Sequence, residues 1–183
     1  MHSIIKKNQI FTIPNLLSTV RLALIPLIIR LYCVNQNHIA AVMVILISGV
    51  TDIIDGFVAR RFNMVSDFGK ILDPVADKLT QGAIIVCLVK RYKLMWGLIA
   101  FFVVKELIMA AMGLFVIKKK GSVNSAKWYG KVNTVVLYIS MMVLILFPGM
   151  SDVLANAIII SCSIVMLLSL LLYTRFYVKL IYD

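Results

Sequence analysis

The sequence predicts an all-α integral membrane protein with six transmembrane helices and an N-terminal amphipathic segment in the membrane interface. Of its 183 residues, 62% are hydrophobic and only 15% are charged, whereas soluble domains are about 45–50% apolar and about 25% charged. The mean hydropathy is +0.99, so too little polar surface remains to cover a water-soluble globule. The three cysteines lie far apart in apolar runs, which argues against a zinc site or a disulfide framework.

The N-terminal segment, residues 1–14, alternates apolar residues with Lys6 and Lys7. This pattern favours a short helix in the headgroup layer beside anionic lipids. The apolar run that follows contains Arg21 and Pro26 and has no small-residue cleavage site. We therefore interpret it as a retained first helix and not as a signal peptide.

Six apolar runs are long enough for transmembrane helices, since a bilayer core about 30 Å thick needs roughly 20 apolar residues per helix. The sequence leaves no room for a separate soluble domain, so we predict one membrane domain over residues 1–183, with the helix bundle in residues 15–183. The predicted helices are Leu16–Val34, Ile39–Ala59, Ile71–Val89, Leu94–Ile117, Val132–Phe147 and Val153–Val178.

The basic residues outside the helices predict the orientation. With six helices, twelve of them fall on one side of the membrane and only Lys90, Arg91 and Lys93 fall on the other. Because cytoplasmic loops collect Lys and Arg, we expect both termini in the cytoplasm, most simply at a bacterial cytoplasmic membrane. The chain has no basic groove interleaved with aromatic residues, which argues against a nucleic acid partner.

Four of the eight acidic residues lie within or at the ends of the second and third helices: Asp52, Asp55, Asp73 and Asp77. Unpaired, they would cost of the order of 10 kcal/mol on membrane insertion scales and would repel one another. The spacings, i,i+3 and i,i+4, place each pair on one helix face. Oxygen ligands without nearby His or Cys favour hard divalent cations, so the pattern predicts a site for Mg²⁺, Mn²⁺ or Ca²⁺.

Two alternative roles are open to these aspartates. They can form structural salt bridges with Arg60, Lys78 or Lys105, or they can relay protons in a transporter. Gly56 and Gly69, which lie beside the aspartates, favour a binding site because they leave room near the backbone, although small residues also mediate ordinary helix contacts in membranes.

The segment that begins at Asp52 reads D-I-I-D-G-F-V-A-R, and K-I-L-D-P-V-A-D follows at residues 70–77. It resembles the signature of the CDP-alcohol phosphatidyltransferases, D-x2-D-G-x2-A-R-x8-G-x3-D-x3-D, with all eight fixed positions filled over 26 residues. The segment I-P-N-L-L-S-T-V-R at residues 13–21 is similar to the usual beginning of that family's first helix. The resemblance therefore extends over nearly the whole chain.

The resemblance implies a role for each signature residue. Asp52, Asp55, Asp73 and Asp77 would bind two Mg²⁺ or Mn²⁺ ions, and Asp77 would also be the general base. The family also implies six transmembrane helices and a homodimer. The residues that would bind the donor nucleotide are Gly56, Ala59, Arg60 and Gly69.

The activity that the resemblance implies is a step of phospholipid biosynthesis. An acceptor hydroxyl would attack the diacylglycerol-side phosphorus of CDP-diacylglycerol, and CMP would leave. The chemistry agrees with the residues, because phosphoryl transfer needs cations on the non-reacting oxygens and a base for the incoming hydroxyl.

The acceptor would be bound by basic residues outside the signature: Lys105, Lys131 and Arg21. Phosphatidylglycerophosphate synthases, which the chain also resembles, usually carry additional cations where this sequence has Gly113 and Asn133. Lysine also does not reproduce a bidentate arginine clamp on a phosphate. The phrase K-V-N-T at residues 131–134 is similar to cardiolipin synthases of this family.

These differences favour phosphatidylglycerol as the acceptor and cardiolipin as the product. Glycerol 3-phosphate is the alternative acceptor, with inositol phosphate and serine behind it. A transporter or a non-catalytic scaffold is the alternative from a different class, and it predicts no CMP release with any alcohol.

Overall fold

The computed structural model describes residues 13–61, 69–120 and 127–182, and these ranges contain helices and no strands. An all-α fold with six α-helices is therefore confirmed for the described residues. The helices are α1 (Ile13–Ile29), α2 (His38–Arg61), α3 (Gly69–Val89), α4 (Met95–Lys120), α5 (Trp128–Leu146) and α6 (Asp152–Tyr182). Except for its last two residues, which begin α1, the predicted interfacial segment lies outside the described ranges.

The chain divides into two compact units, Met1–Cys87 and Leu88–Asp183. The first contains α1, α2 and nearly all of α3, and the second contains α4, α5 and α6. Within the first unit α1 packs along α2, and within the second both α4 and α5 pack against α6. The single domain over residues 1–183 stays a prediction.

In the first unit, α1 ends in an irregular turn. Arg30–Val34 form a π-helical turn, in which the backbone N–H of Asn35 donates to the carbonyl of Arg30 at 3.0 Å. Gln36 then takes a left-handed conformation, with φ of 51°, and this reverses the chain. The Asn37 side chain accepts a hydrogen bond from the backbone N–H of Ala40 at 3.0 Å and so caps the start of α2.

In the second unit, Pro148 and Ser151 define the turn between α5 and α6. Pro148 comes two residues after the end of α5 and cannot continue a helix. The Ser151 side chain accepts a hydrogen bond from the backbone N–H of Leu154 at 3.4 Å, and Asp152 lies in the first turn of α6. Near the C-terminal end of α6, the carbonyl of Ile181 accepts a hydrogen bond from the Lys119 side chain of α4.

Among the described residues, four stretches are long and apolar enough to cross a membrane: Asn15–Val34, Met95–Lys119, Trp128–Leu146 and Asp152–Ile181. The apolar part of α2, His38–Asp52, is shorter. The third helix contains Asp73, Asp77 and Lys78, which lower its hydropathy. An integral membrane protein is thus confirmed, and the two helices that deviate from ordinary spans are those that carry the aspartates. The orientation stays a prediction.

Candidate active site

One face of α1 is polar and buried. Asn15, Ser18 and Arg21 follow one another at i,i+3 spacing, and their exposed fractions are 3%, 0% and 1%. Residues at this spacing share a helix face. A buried guanidinium in a membrane helix is costly without an anionic partner. The burial of Arg21 therefore predicts that this face of α1 contacts an acidic group.

Asp52 of α2 is that group. An Nη atom of Arg21 lies 2.5 Å from Oδ1 of Asp52. The two side chains differ sharply in exposure, since that of Arg21 is 1% exposed and that of Asp52 is 48% exposed. The cation is thus fixed inside the helix packing, while the carboxylate extends from it into accessible space.

Asp73 of α3 is held by the same face of α1. The hydroxyl of Ser18 donates a hydrogen bond to Oδ1 of Asp73, a residue 55 positions later in the chain. Ser18 is fully buried and Asp73 is partly exposed. The first helix therefore contacts one predicted metal ligand on α2 and another on α3.

Asp77 lies one turn further along α3, and its partners come from its own helix. The side-chain amide of Gln81 donates to Oδ2 of Asp77 at 2.9 Å, and the Lys78 ammonium lies 3.8 Å from the same oxygen. Gln81 is fully buried, whereas the Asp77 side chain is 22% exposed. Lys78 also lies 3.5 Å from the Gln81 side-chain oxygen. These contacts fix one side of a carboxylate whose other side is accessible.

Asp73 and Asp77 both lie close enough to Asp52 to repel it. Their charges act unfavourably on that of Asp52, and the Arg21 charge acts favourably, with a larger effect than that of either aspartate. Within the described ranges, no three acidic, imidazole or thiol groups approach closely enough to form a complete metal site. The fourth predicted ligand, Asp55, lies on α2, but its side chain is outside the described part of the chain.

The donor set nevertheless has the chemistry of a hard cation site. It consists of carboxylate oxygens, and a divalent ion would offset the repulsion that Asp73 and Asp77 exert on Asp52. The residues present therefore fit Mg²⁺ or Mn²⁺ by ligand type and by charge.

The predicted nucleotide contacts lie on either side of the gap in the described residues. Gly56, Ala59 and Arg60 are in the last turns of α2, and their side chains are outside the described part. Gly69 is buried at the start of α3. Their roles stay predictions.

Two of the predicted acceptor residues lie in the second unit. Lys105 is 4% exposed, and its ammonium lies 2.6 Å from the Glu106 carboxylate. Lys131 is exposed near the start of α5. Arg21, the third, is the partner of Asp52 described above. The structure thus places Lys105 and Arg21 in ion pairs and Lys131 at a surface.

The sequence also contained a tyrosine cluster that its motifs did not reveal. The rings of Tyr129 and Tyr173 meet edge to face at 4.5 Å, and the Tyr173 and Tyr177 rings stack at 6.0 Å. The backbone N–H of Lys127 donates to the Tyr173 hydroxyl at 3.3 Å. This cluster joins the start of α5 to the end of α6.

Sequence reasoning missed three contacts of the candidate site: Ser18, Gln81 and the pairing of Arg21 with Asp52. The available signal was the polar stripe on α1, because three polar residues at i,i+3 spacing in an apolar helix indicate a buried polar face. The spacing of Asp77 and Gln81, i,i+4, is a similar signal within one helix.

Comparison of the sequence with known proteins identifies a family and several relatives. The sequence model of the family described as CDP-alcohol phosphatidyltransferase matches residues 11–174. A protein of Rickettsia bellii is 40% identical over 81 residues, which cover 43% of this chain and 45% of that protein. A protein of Escherichia coli strain K12 is 33% identical over 145 residues, or 76% of this chain and 79% of that protein. Both are named CDP-diacylglycerol--glycerol-3-phosphate 3-phosphatidyltransferase, as is a protein of Shigella boydii serotype 4 with the same coverage as the Escherichia coli protein.

Proposed function

Because the chain belongs to the CDP-alcohol phosphatidyltransferase family and is a transferase, we propose that it makes phosphatidylglycerophosphate. In this reaction a hydroxyl of glycerol 3-phosphate takes the phosphatidyl group of CDP-diacylglycerol, and CMP leaves. The family match over residues 11–174 carries the reaction type. The names of the relatives from Rickettsia bellii and Escherichia coli support the acceptor.

The acceptor favoured by the sequence alone was phosphatidylglycerol, and the relatives' names support the alternative better. The structure offers a physical reason why the sequence argument was weak. Asn133 is only 4% exposed. This position is constrained by helix packing, so its residue says little about the acceptor. Phosphatidylglycerol remains the second candidate on the K-V-N-T phrase.

We propose Asp52, Asp55, Asp73 and Asp77 as the ligands of two Mg²⁺ or Mn²⁺ ions. The chemistry of the donor set supports this, as does the mutual repulsion of the described carboxylates. When bound, such ions would neutralise the non-reacting oxygens of the donor pyrophosphate.

In this proposal, Asp77 and Gln81 provide for the removal of the proton from the acceptor hydroxyl. Asp77 would accept the proton of the acceptor hydroxyl, whose oxygen forms a bond to the diacylglycerol-side phosphorus, while the bond from that phosphorus to the CMP oxygen breaks with its electron pair. Gln81 donates to Oδ2 of Asp77, which fixes the rotation of the carboxylate. A carboxylate accepts several hydrogen bonds, so this contact leaves capacity for the acceptor proton.

Donor binding is assigned to Gly56, Ala59, Arg60 and Gly69 on the family resemblance, and acceptor binding to Lys105 and Lys131. The site would lie at the cytoplasmic side, so that the acyl chains of the donor remain among the lipids. A homodimer is part of the same proposal.

The experiment is CMP release by the purified protein with CDP-diacylglycerol and Mg²⁺ or Mn²⁺. Glycerol 3-phosphate and phosphatidylglycerol are offered separately, and the lipid product is identified by its mass. We expect phosphatidylglycerophosphate, and we expect a chelator to abolish CMP release and excess Mg²⁺ to restore it. Cardiolipin as the product would replace the acceptor proposal, and CMP release that survives chelation would contradict the metal proposal. A protein that releases no CMP with any alcohol would contradict the reaction itself.

A further inference from the structure

We propose that α1 positions the metal-binding carboxylates of the other two helices, with Arg21 orienting Asp52 and Ser18 orienting Asp73. The inference rests on the proposed function, since it takes these aspartates as metal ligands. It gives Arg21 a role different from the acceptor contact predicted from the sequence. Neither Arg21 nor Ser18 would touch a substrate, so both are positioning residues.

The distribution of exposure supports this direction of action. The donors are enclosed, with exposed fractions of 1% for Arg21 and 0% for Ser18, whereas the Asp52 side chain is 48% exposed. A buried side chain in a packed helix interface has few alternative rotamers. The enclosed groups on α1 therefore fix the carboxylates from the protein side, and the carboxylates meet the accessible space.

The capacity of the carboxylates supports a ligand role in addition to these contacts. Arg21 and Ser18 each approach an Oδ1 atom, and a carboxylate offers about four lone-pair positions in all. Metal-binding carboxylates in proteins are usually held in this way by hydrogen-bond donors that are not ligands themselves. One donor on each aspartate is therefore compatible with an ion on the same group.

The electrostatics of the site give Arg21 a second effect. The charges of Asp73 and Asp77 repel that of Asp52, and Arg21 attracts it. Without a counter-charge, the three carboxylates would favour conformations in which they separate. Arg21 therefore keeps the ligand set together before an ion binds, which lowers the cost of forming the site.

A neighbouring residue on α1 shows what an ordinary polar side chain does there. The Thr19 hydroxyl donates to the carbonyl of Asn15 on its own helix, at 2.8 Å, and Thr19 is exposed. This is the usual solution for Ser and Thr in membrane helices. Ser18 instead bonds to an aspartate of another helix. Thr19 therefore provides a matched control for Ser18, and the exposed Arg30 provides one for Arg21.

The test measures Mn²⁺ binding to the full-length protein in lipid nanodiscs, without substrate, from the electron paramagnetic resonance signal of free Mn²⁺. The variants are Ser18→Ala, Arg21→Gln and the conservative Ser18→Thr and Arg21→Lys, with Thr19→Ala and Arg30→Gln as controls. Melting temperatures are recorded on the same samples. Asp52→Asn reports whether the measured binding belongs to the aspartate site.

We expect Ser18→Ala and Arg21→Gln to weaken Mn²⁺ binding by roughly 10- to 100-fold, the range found for residues that orient metal ligands. Ser18→Thr should restore binding to within about threefold of the natural protein, because it keeps the hydroxyl. Arg21→Lys should fall in between, because an ammonium keeps the charge but not the planar donor geometry. The controls should bind Mn²⁺ as the natural protein does.

Binding that is unchanged or tighter in Ser18→Ala and Arg21→Lys would overturn the inference, since these contacts would then serve helix packing only. If Arg21→Gln does not fold, Arg21→Lys still decides the question. Failure of the proposed metal site looks different: the natural protein would bind no Mn²⁺, or Asp52→Asn would bind it equally well. The first of these results would also overturn the positioning role.

Discussion

The two compact units bury their polar groups in opposite ways. In Met1–Cys87, enclosed donors on α1 hold aspartates that remain partly exposed and repel one another. In Leu88–Asp183, the buried Lys105 has its counter-charge on the adjacent residue, and the hydroxyls of Tyr173 and Tyr92 bond to backbone groups. The first unit thus contains carboxylates whose charges repel that of Asp52, whereas these polar groups of the second unit are paired with one another or with the backbone.

The two arrangements predict different effects of substitution, on the reaction in the first unit and on packing in the second. Carboxylates that repel one another are unfavourable in a membrane protein, and a bound cation would relieve that repulsion. Polar groups that are paired internally contribute to stability and need no ligand. Substitutions in the first unit should therefore change turnover more than stability, and those in the second unit should do the reverse.

Turnover should change most when an aspartate of the first unit is replaced. Asp77→Asn should lower the rate of CMP release by roughly 10²- to 10⁴-fold, the usual contribution of a general base, because an amide does not accept the acceptor proton. The melting temperature should change little, since Asn still accepts the Gln81 hydrogen bond. Asp152→Asn, in the exposed first turn of α6, is the control and should keep normal turnover. Normal turnover in Asp77→Asn would exclude the base assignment.

The second prediction concerns the ion pair of the second unit and separates a structural role of Lys105 from acceptor binding. Glu106→Gln removes the negative charge that lies 2.6 Å from the ammonium of Lys105, a residue only 4% exposed. Removing one partner of a fully buried ion pair costs about 3–5 kcal/mol. Because the Glu106 side chain is 24% exposed, the free energy of unfolding should fall by no more than about 3 kcal/mol. The melting temperature should therefore fall clearly.

The double variant Lys105→Met/Glu106→Met shows which role dominates. Replacing both partners with apolar residues should restore much of the stability. If Lys105 binds the acceptor, the double variant should still show a raised KM for glycerol 3-phosphate with the KM for CDP-diacylglycerol unchanged. An unchanged KM for both substrates would assign Lys105 to packing alone.

The sequence was sufficient for the six helices and for the aspartates because both are signals along the chain. Apolar runs of about 20 residues predict helices, and acidic residues within such runs are costly enough to mark a site. The contacts of those aspartates were not predictable in the same way. Ser18 and Asp73 are 55 residues apart. The i,i+3 stripe sets Ser18 apart from Thr19, which bonds to its own helix, but it does not show which residue of another helix Ser18 meets.

The sequence argument about the acceptor was weak for a related reason. Gly113 and Asn133 were interpreted as positions that lack a phosphate-binding cation. The packing environment of Asn133 was not visible in the sequence: its side chain is buried. A difference from the family pattern is informative about a ligand only where the residue is not already constrained by its neighbours.

The third prediction tests packing in the second unit at Gly130. A Cβ at this position would lie 2.9 Å from two ring carbons of Tyr173 and closer still to its hydroxyl oxygen. The ring is held by Tyr129 and by the backbone N–H of Lys127, so it does not move away freely. Gly130→Ala should lower the free energy of unfolding by about 1–3 kcal/mol, as overpacking usually does.

The matched control for this prediction is Gly97→Ala in α4, where a Cβ would meet nothing within 4 Å. It should be neutral or stabilising, because Ala favours the helix by about 1 kcal/mol over Gly. Adding Tyr173→Leu to Gly130→Ala should recover part of the loss. Equal melting temperatures for the two single alanine variants would show that the Tyr173 ring yields without cost.

A substitution at Tyr92 should lower stability only slightly. Tyr92 is 5% exposed, and its hydroxyl donates to the carbonyl of Leu144 at 3.3 Å. That carbonyl belongs to the last turn of α5, where backbone acceptors have no partner within the helix. Tyr92→Phe removes the hydroxyl and keeps the ring, including its contact with Arg91 at 5.7 Å. The free energy of unfolding should fall by about 0.5–1 kcal/mol, which corresponds to a fall of roughly 2–4 °C or less in the melting temperature.

The control is Trp96→Phe, near the start of α4, where the side chain is 67% exposed. It should leave the melting temperature unchanged, and CMP release at saturating substrate should be normal in both variants. A Tyr92→Phe protein that melts normally but turns over slowly would reverse the contrast between the units, because a polar group paired with the backbone of the second unit would then serve the reaction.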